Sequence, residues 1–304
     1  MYSTLQPVPL SQATGKMAYT MTNDALFHIV LQRNKKALTA LIAAILHLDT
    51  ESINDVVVQN PLLQGHHPED KASELDILVS FNNGALINLE MQVANLKNWG
   101  PRSLYYLCRE FTRLHHGDDY SQVKPAYHIG FLDYTLFPDQ PEFYATYRMC
   151  NLKTGNVYND KFTLSVIELN HIDMATDEDK LYGIDKWARL FKATTWEDIK
   201  MLAKTDPIIE SAAESIYSSV TEPWVLDLCR KSQEEIDGDI HRRERLAEQD
   251  KQIAEQDKQI AEQDKQIAEQ DKQIAEKDKQ IAEQDDMLAK YREALLINGI
   301  EVPE

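Results

Sequence analysis

From Leu246 the chain repeats itself every seven residues: LAEQDKQ, then IAEQDKQ three times, then IAEKDKQ and IAEQDDM. A run of six such units with neither Gly nor Pro contains nothing that makes a turn. This region is therefore helix, alone in water or wound with another helix as a coiled coil. At 1.5 Å per residue the six units make a rod of about 63 Å, too long to fold back as ordinary core. Ile253, Ile260, Ile267, Ile274 and Ile281 share one heptad position; if that is a, position d falls on Gln256, Gln263, Gln270, Lys277 and Gln284. Branched Ile at a favours a parallel dimer, whereas polar residues at d remove much of the burial that holds one together. Lys251, Glu255 and Lys258 stand at helical spacings, so a solvated single helix is the other reading. The expectation is a weak, concentration-dependent homodimer through this tail, set against a monomeric alternative.

The residues before about Gln233 are varied in composition and read as a folded body. The division expected is a polar N-terminal arm over 1–20, a domain over 21–235 whose part from about 175 is helical, and the heptad-repeat helix over 240–295. With 43% hydrophobic and 27% charged residues in 304, the chain can bury a sizeable core, which excludes collagen-like, mucin-like and wholly disordered classes. Three widely spaced cysteines, Cys108, Cys150 and Cys229, make no disulfide framework and show no zinc or redox spacing. The longest apolar stretch, 39–48, is about half of what a bilayer core of ~30 Å requires. The expected setting is accordingly the cytoplasm, with no membrane as partner. The formal net charge is −18, and the 21 Lys/Arg against 33 Asp/Glu that precede His241 leave the body at −12. Such a balance argues against loose, charge-driven binding to DNA but leaves room for a local basic strip.

Within the body, residues 22–48 carry apolar side chains at helical spacing behind Thr22-Asn23-Asp24, a run of N-cap formers, and read as one helix or two. Residues 53–59 (INDVVVQ) read as a strand closed by Asn60-Pro61. Residues 98–116 read as a helix with Pro101 in its first turn and Gly117 closing it. Further strands are expected over 127–134, 143–152 and 156–170, with Lys153-Thr154-Gly155 as the turn between the last two, and helices from 177 to about 235. The order makes an α/β or α+β domain.

The most informative stretch is 74–93. Leu75, Ile77, Val79 and Phe81, then Ala85, Ile87, Leu89, Met91 and Val93, occupy the odd positions on either side of Asn82-Asn83-Gly84, and the even positions are mostly polar. This alternation predicts two half-buried strands of a hairpin. A two-residue Asn-Gly turn would set the apolar face of one strand against the polar face of the other. A three-residue loop, with Gly84 in the left-handed conformation, pairs odd with odd. Partners then sum to 166, so Asp76 faces Glu90 with Cβ atoms about 5 Å apart, and Gln92 follows on the same face. Facing carboxylates repel unless a cation or a shared proton neutralises them. A hard divalent ion such as Mg²⁺, held by one or two carboxylates and completed by waters and phosphate, is the simplest neutraliser. The plainer alternative is a solvated polar face with no chemistry.

Asp76, a short hairpin, and Glu90-Met91-Gln92 (E-x-Q) resemble the active-site signature of the PD-(D/E)XK nuclease superfamily, in a variant with Gln for the final Lys. Phe27 after Asn23-Asp24, the Leu-rich run to Leu48, the block ELDILVSFNNGALINLEMQ, and Arg102-x-x-x-Tyr106 together resemble the Rpn family of recombination-promoting nucleases, also described as transposases. The resemblance covers about 20–140 well, extends weakly to about 235 and leaves out the tail. It implies a restriction-endonuclease-like mixed sheet flanked by helices and a DNA endonuclease dependent on Mg²⁺ or Mn²⁺, linked to recombination or mobile elements. Asp76 and Glu90 would be metal ligands, the Met91 carbonyl a further one, and Gln92 would stand where the Lys orients water or stabilises charge. Gln carries no charge, so another cation must supply it, with Arg102 the nearest in sequence. Asp24 is the expected acidic contribution from the first helix, its alternative role being an N-cap.

Arg102, Arg109 and Arg113 recur at spacings that share one side of their helix and are the expected DNA contacts. The alternative for Arg109 and Arg113 is pairing with Glu110 or neighbouring acids. His66-His67 and His115-His116 lack the spacing of helical zinc sites and read as loop residues. Tyr105, Tyr106, Trp187 and Trp196 read as core. The competing function is a nuclease-like protein that no longer cleaves and binds partners through its coiled-coil tail.

Overall fold

The computed structural model describes residues 9–59, 77–82, 84–112, 117 and 119–298. The apolar run at 22–48 is two helices, α1 (Asp24–Arg33) and α2 (Lys35–Leu46), broken at Asn34. The Asn34 side chain explains the break: its oxygen accepts the Ala37 N–H, capping α2, while its amide donates to the Ser211 carbonyl and the Ser215 hydroxyl. Asn23, not Asp24, caps α1, accepting the Leu26 N–H, which leaves Asp24 as the first helical residue.

The expected strand over 53–59 shrinks to β1 (Val57–Val58), because Asp55 takes a left-handed φ of 54° that interrupts extended backbone. Strands β2 (Ile77–Phe81) and β3 (Ala85–Gln92) form the hairpin in the expected register, from Ile77 opposite Leu89 to Phe81 opposite Ala85. Gly84 has φ of +94° and donates its N–H to the Phe81 carbonyl, closing the three-residue loop. After β3 come α3 (Trp99–Phe111) and β4 (Ala126–Leu132), then β5 (Tyr144–Arg148) and β6 (Phe162–Glu168). Helix α3 is shorter than expected, with Thr112 at its C-cap, and residues 113–116 lie outside the described ones. Strands β5 and β6 are also shorter than expected. Beyond them the hairpin is reduced to one bridge, Cys150 to Val157, and its tip around Leu152 stands in water.

Among the described residues the sheet has six strands in the order β1-β2-β3-β4-β6-β5. Strands β3, β4 and β6 are mutually parallel and the rest of the pairings antiparallel, a mixed sheet. One face carries Ile77, Val79, Ile87, Leu89, Met91, Ile129, Phe131 and Ile167 into the main core. That core is shared with α1, α2, α5 (Ile184–Lys192), α6 (Trp196–Ala203) and α7 (Pro207–Val220); α4 (Asp177–Tyr182) precedes α5. Phe27, Phe131 and Phe191 meet edge to face at its centre, with centroids 5.2–5.5 Å apart.

Helix α3 covers the opposite face, where Trp99 packs with Leu132, Tyr134 and Val166. Its indole lies on Gly130, where a Cβ would come within 2.0 Å of the ring, so only Gly fits below it. This cover corrects the expectation of half-buried strands: β3 is buried at every position, Asn88, Glu90 and Gln92 included. Trp187 and Trp196 are core as expected, whereas Tyr105 is 66% exposed on the outer side of α3.

The chain divides into two units, Met1–Ile240 and His241–Glu304. The long helix α8 (Pro223–Ile297) begins in the first, where Val225 and Cys229 are buried and the Cys229 carbonyl accepts from Asn23. In the second unit the helix continues as a single strand of repeat. Its isoleucines, from Ile253 to Ile281, are each more than half exposed. Glu248–Lys251, Glu255–Lys258 and Glu262–Lys265 approach to 3.7–3.9 Å along it.

Candidate active site

The polar face of β3 is assembled by two registers. Parallel pairing with β4 puts Asn88 beside His128, Glu90 beside Gly130 and Gln92 beside Leu132. The absent side chain at Gly130 is filled by Trp99 of α3, whose first turns thus lie over Glu90. Arg102, one turn into α3, reaches down and sets its Nε 2.6 Å from Glu90 Oε1. His128, fully buried, sets its Nε2 3.3 Å from Glu90 Oε2. The Asn88 amide nitrogen is 3.2 Å from His128 Nδ1. An amide N–H facing Nδ1 makes that nitrogen the acceptor and places the ring proton on Nε2, the nitrogen nearer Glu90, although Nε2 and Oε2 make no hydrogen bond among the described residues. Each oxygen of a carboxylate that is only 2% exposed therefore lies near a basic side chain, Oε1 beside Arg102 and Oε2 beside His128, but Oε2 makes no hydrogen bond among the described residues.

Aromatic rings extend this arrangement. Tyr106 stacks on His128, with planes 9° apart and centroids 6.0 Å apart. The guanidinium groups of Arg102 and Arg109 lie 5.3 and 4.7 Å from the Tyr106 ring centre. Arg109 also donates from Nε to Glu110, at 3.1 Å, the pairing weighed from sequence beside DNA contact. Gln92 donates its amide to the Ala94 carbonyl, and its buried Oε1 has no hydrogen-bond partner among the described residues. Its backbone carbonyl accepts from Asp133 N–H.

Further along the face, Tyr134 and Glu168 are buried. Burial and the negative charge of Glu90 push the Tyr134 phenol well above its ordinary pKa, so it stays neutral, and its hydroxyl lacks a hydrogen-bond partner among the described residues. Burial also raises the Glu168 carboxyl, against the lowering effect of the Leu136 N–H it accepts and of His171.

Of the residues singled out from sequence, the structure brings Glu90, Gln92 and Arg102 together, with Tyr106 and Arg109 adjoining. Met91 sends its side chain into the main core, so any part it takes here is through its backbone. Asp24 is half-buried at the start of α1, a helix that packs on the apolar face. Asp76, Arg113, His66-His67 and His115-His116 lie outside the described residues. Among the described residues no three His, Cys, Asp or Glu side chains converge as a metal would require. The donors present fit a hard divalent cation in kind: a buried carboxylate and a buried amide oxygen with no hydrogen-bond partner among the described residues, both oxygen ligands. His128, Asn88, Tyr134 and Glu168 were not foreseen. Their place on this face depends on the β3–β4–β6 register, which no local pattern announces.

A mixed sheet with parallel central strands, covered on both faces and carrying a buried carboxylate beside an amide at the end of β3, is the architecture of restriction-endonuclease-like proteins. The sequence profile of the PD-(D/E)XK nuclease family transposases matches residues 22–240, and the chain belongs to that family. No curated protein and no solved structure matches. No helix among the described residues is long and apolar enough to cross a membrane.

Proposed function

We propose that this member of the nuclease family is a DNA endonuclease of the Rpn type, dependent on Mg²⁺ or Mn²⁺ and acting in recombination or element mobility. The observation that carries the reading is the Glu90–Gln92 pair: a buried carboxylate followed on the same face by a buried amide oxygen with no described hydrogen-bond partner. Asp76 and Glu90, with the Met91 carbonyl, would hold the cation, and Asp24 would join them from α1. A bound divalent ion would supply charge neutralisation at a phosphate and would lower the pKa of a nearby water. Gln92 would orient a water through its amide oxygen, which has no hydrogen-bond partner among the described residues. His128 and Asn88 fix the direction in which Glu90 presents its carboxylate. Tyr134 and Trp99 exclude bulk water from beneath α3. Arg102 and Arg109 on α3, with Arg113, would be the cations that contact DNA, a basic strip on a body of net −12. The tail brings two copies together as a parallel dimer, and the working compartment is the cytoplasm.

A second reading, a non-cleaving partner-binding protein, is favoured by Gln92 at the position of a charged Lys and by the uncovered isoleucine stripe of the tail. One assay separates the two. Purified full-length protein is incubated with supercoiled plasmid DNA in Mg²⁺, Mn²⁺ or EDTA. Nicked or linear product with either cation and none in EDTA supports the endonuclease. Intact plasmid in all three, with folded protein, supports the second reading.

A further inference from the structure

Glu90 cannot retreat: it sits on a central strand, is 2% exposed, and has an oxygen facing each of two neighbours. Of those neighbours, His128 is fully buried and stacked under Tyr106, and it cannot leave without repacking the layer. Arg102 differs. Its side chain is 36% exposed, it hangs from the first turns of α3, and its guanidinium already lies against the Tyr106 ring. A guanidinium on a long stem at the protein surface can swing away from a carboxylate and be rehydrated while the ring still shelters one of its faces. A carboxylate oxygen held at 2.6 Å by a guanidinium has its charge largely compensated, and a divalent ion placed at the same oxygen would face an adjacent positive charge in a site sheltered from water.

We propose that Arg102 is a built-in counter-ion for Glu90 that stands in place of a divalent cation, so that the Glu90–Arg102 pair and cation binding at Glu90 exclude each other. The proposal rests on the reading of Glu90 as a metal ligand. Its physical content is competition. In the cation-free protein the pair prevents a buried, uncompensated carboxylate, and the cation must displace it, which lowers apparent affinity by the population of the paired state. His128, buried and within reach of Asn88, stays beside Oε2 in either state.

The test is Mn²⁺ binding to the full-length, cation-free protein by calorimetry, with thermal melts of the same samples and no DNA present. Arg102→Gln is expected to bind Mn²⁺ about tenfold more tightly than wild type. It should melt lower without cation, because Glu90 then loses its guanidinium partner, and that deficit should close at saturating Mn²⁺. An ion pair with only a structural role would lower the melting temperature with and without cation and leave the affinity unchanged or weaker. Either of those results overturns the proposal. If Arg102→Gln does not fold, Arg102→Lys keeps a charge but shortens the reach and loses the planar contact with Tyr106. Its Mn²⁺ affinity should lie above that of wild type, and equality with wild type overturns the proposal. Glu90→Gln identifies the level of any failure. Loss of Mn²⁺ binding in Glu90→Gln together with unchanged binding in Arg102→Gln rejects the counter-ion alone. Wild-type affinity in Glu90→Gln rejects the ligand reading and the counter-ion with it.

Discussion

Ile87, Leu89 and Met91 on one side of β3, and Asn88, Glu90 and Gln92 on the other, are all buried, yet the two sets leave water for different reasons. The first set enters a continuous apolar core where each side chain gains by transfer alone, about 1.5–3 kcal/mol for a fully buried Leu or Ile. The second gains nothing by transfer. It sits under α3 beside an arginine, an imidazole and an amide, and two of its acceptors, Glu90 Oε2 and Gln92 Oε1, make no hydrogen bond among the described residues. A protein needing only stability would be served as well by apolar residues on both faces, since buried ion pairs contribute little net free energy. The polar set therefore points to chemistry, and substitutions on the two faces should fail in different ways.

The largest difference is expected between neighbours. Glu90→Gln, and Asp76→Asn with it, should reduce cation-dependent plasmid cleavage by several kcal/mol of transition-state stabilisation, about 10³-fold or more, with a cooperative melt retained. Leu89→Ala, one residue away, should cost about 2–5 kcal/mol of stability and leave the cleavage rate of the folded fraction close to wild type. Urea melts and single-turnover cleavage on the same preparations make the comparison. Similar loss of rate from Leu89→Ala, measured where it is folded, would dissolve the division between faces.

Gln92→Ala sharpens the same contrast by asking what the buried amide oxygen, which has no hydrogen-bond partner among the described residues, does. A group that acts on an attacking water lowers kcat more than it weakens DNA binding, here by about 10–100-fold. Arg109→Ala, on the helix above, should instead weaken duplex binding and reduce the slope of log affinity against log salt by roughly one. Parallel losses in rate and binding for both variants would show that Gln92 is packing rather than chemistry.

How much of this contrast was legible in the residues follows from which interactions are local. The odd–even alternation over 74–93 and the Asn82-Asn83-Gly84 loop determined the hairpin register, because a shift by one residue would take Ile87 and Leu89 out of the main core and turn them toward the polar face under α3. The burial of the even positions was not legible, because it depends on α3 and on Gly130, a residue whose lack of a side chain matters only once Trp99 lies across it. His128 was invisible for the same reason: its place beside Asn88 is set by parallel pairing across a connection of more than thirty residues. Strand 53–59 was overestimated because Asp55 reads as an ordinary polar residue until its left-handed backbone is seen. Arg102 was named for its nearness in sequence, and its helix brings it to the Glu90 carboxylate.

Glu168 offers a subtler way to sharpen the contrast, because it is another buried carboxylate on the α3 side of the sheet and its pKa is displaced. Burial raises its pKa in the folded protein above the unfolded value. The folded state therefore favours the protonated form. Its contribution to stability is complete below the ordinary carboxylate range and is lost as pH rises through the raised folded pKa. Glu168→Gln, which keeps an acceptor for the Leu136 N–H, should match wild type in acid and melt higher than wild type at neutral pH. Thermal melts from pH 4 to 8 measure this. A variant that melts lower at neutral pH would mean that the His171 contact outweighs the burial of charge.

The smallest effect is expected in the tail, where the contrast with β3 is sharpest at the level of single residues. Ile87 is fully buried, whereas Ile253, Ile260, Ile267, Ile274 and Ile281 each remain 54–55% exposed on a helix whose d positions are Gln or Lys. A stripe of one apolar residue per heptad offers about half the seam of an ordinary coiled coil, so pairing through it should be weak and should strengthen with concentration. Because the units are nearly identical, deleting one removes about a sixth of a shallow seam and returns the same register to the rest. Plasmid cleavage and melting temperature should be unchanged within error by deletion of residues 260–266, with a shift of no more than a few-fold in the concentration at which dimer appears. Sedimentation velocity across a range of concentrations measures it, beside a chain ending at Asp239. Equal association of the full chain and the shortened one would assign the contact between copies to the body, and the tail isoleucines would then have no role in pairing.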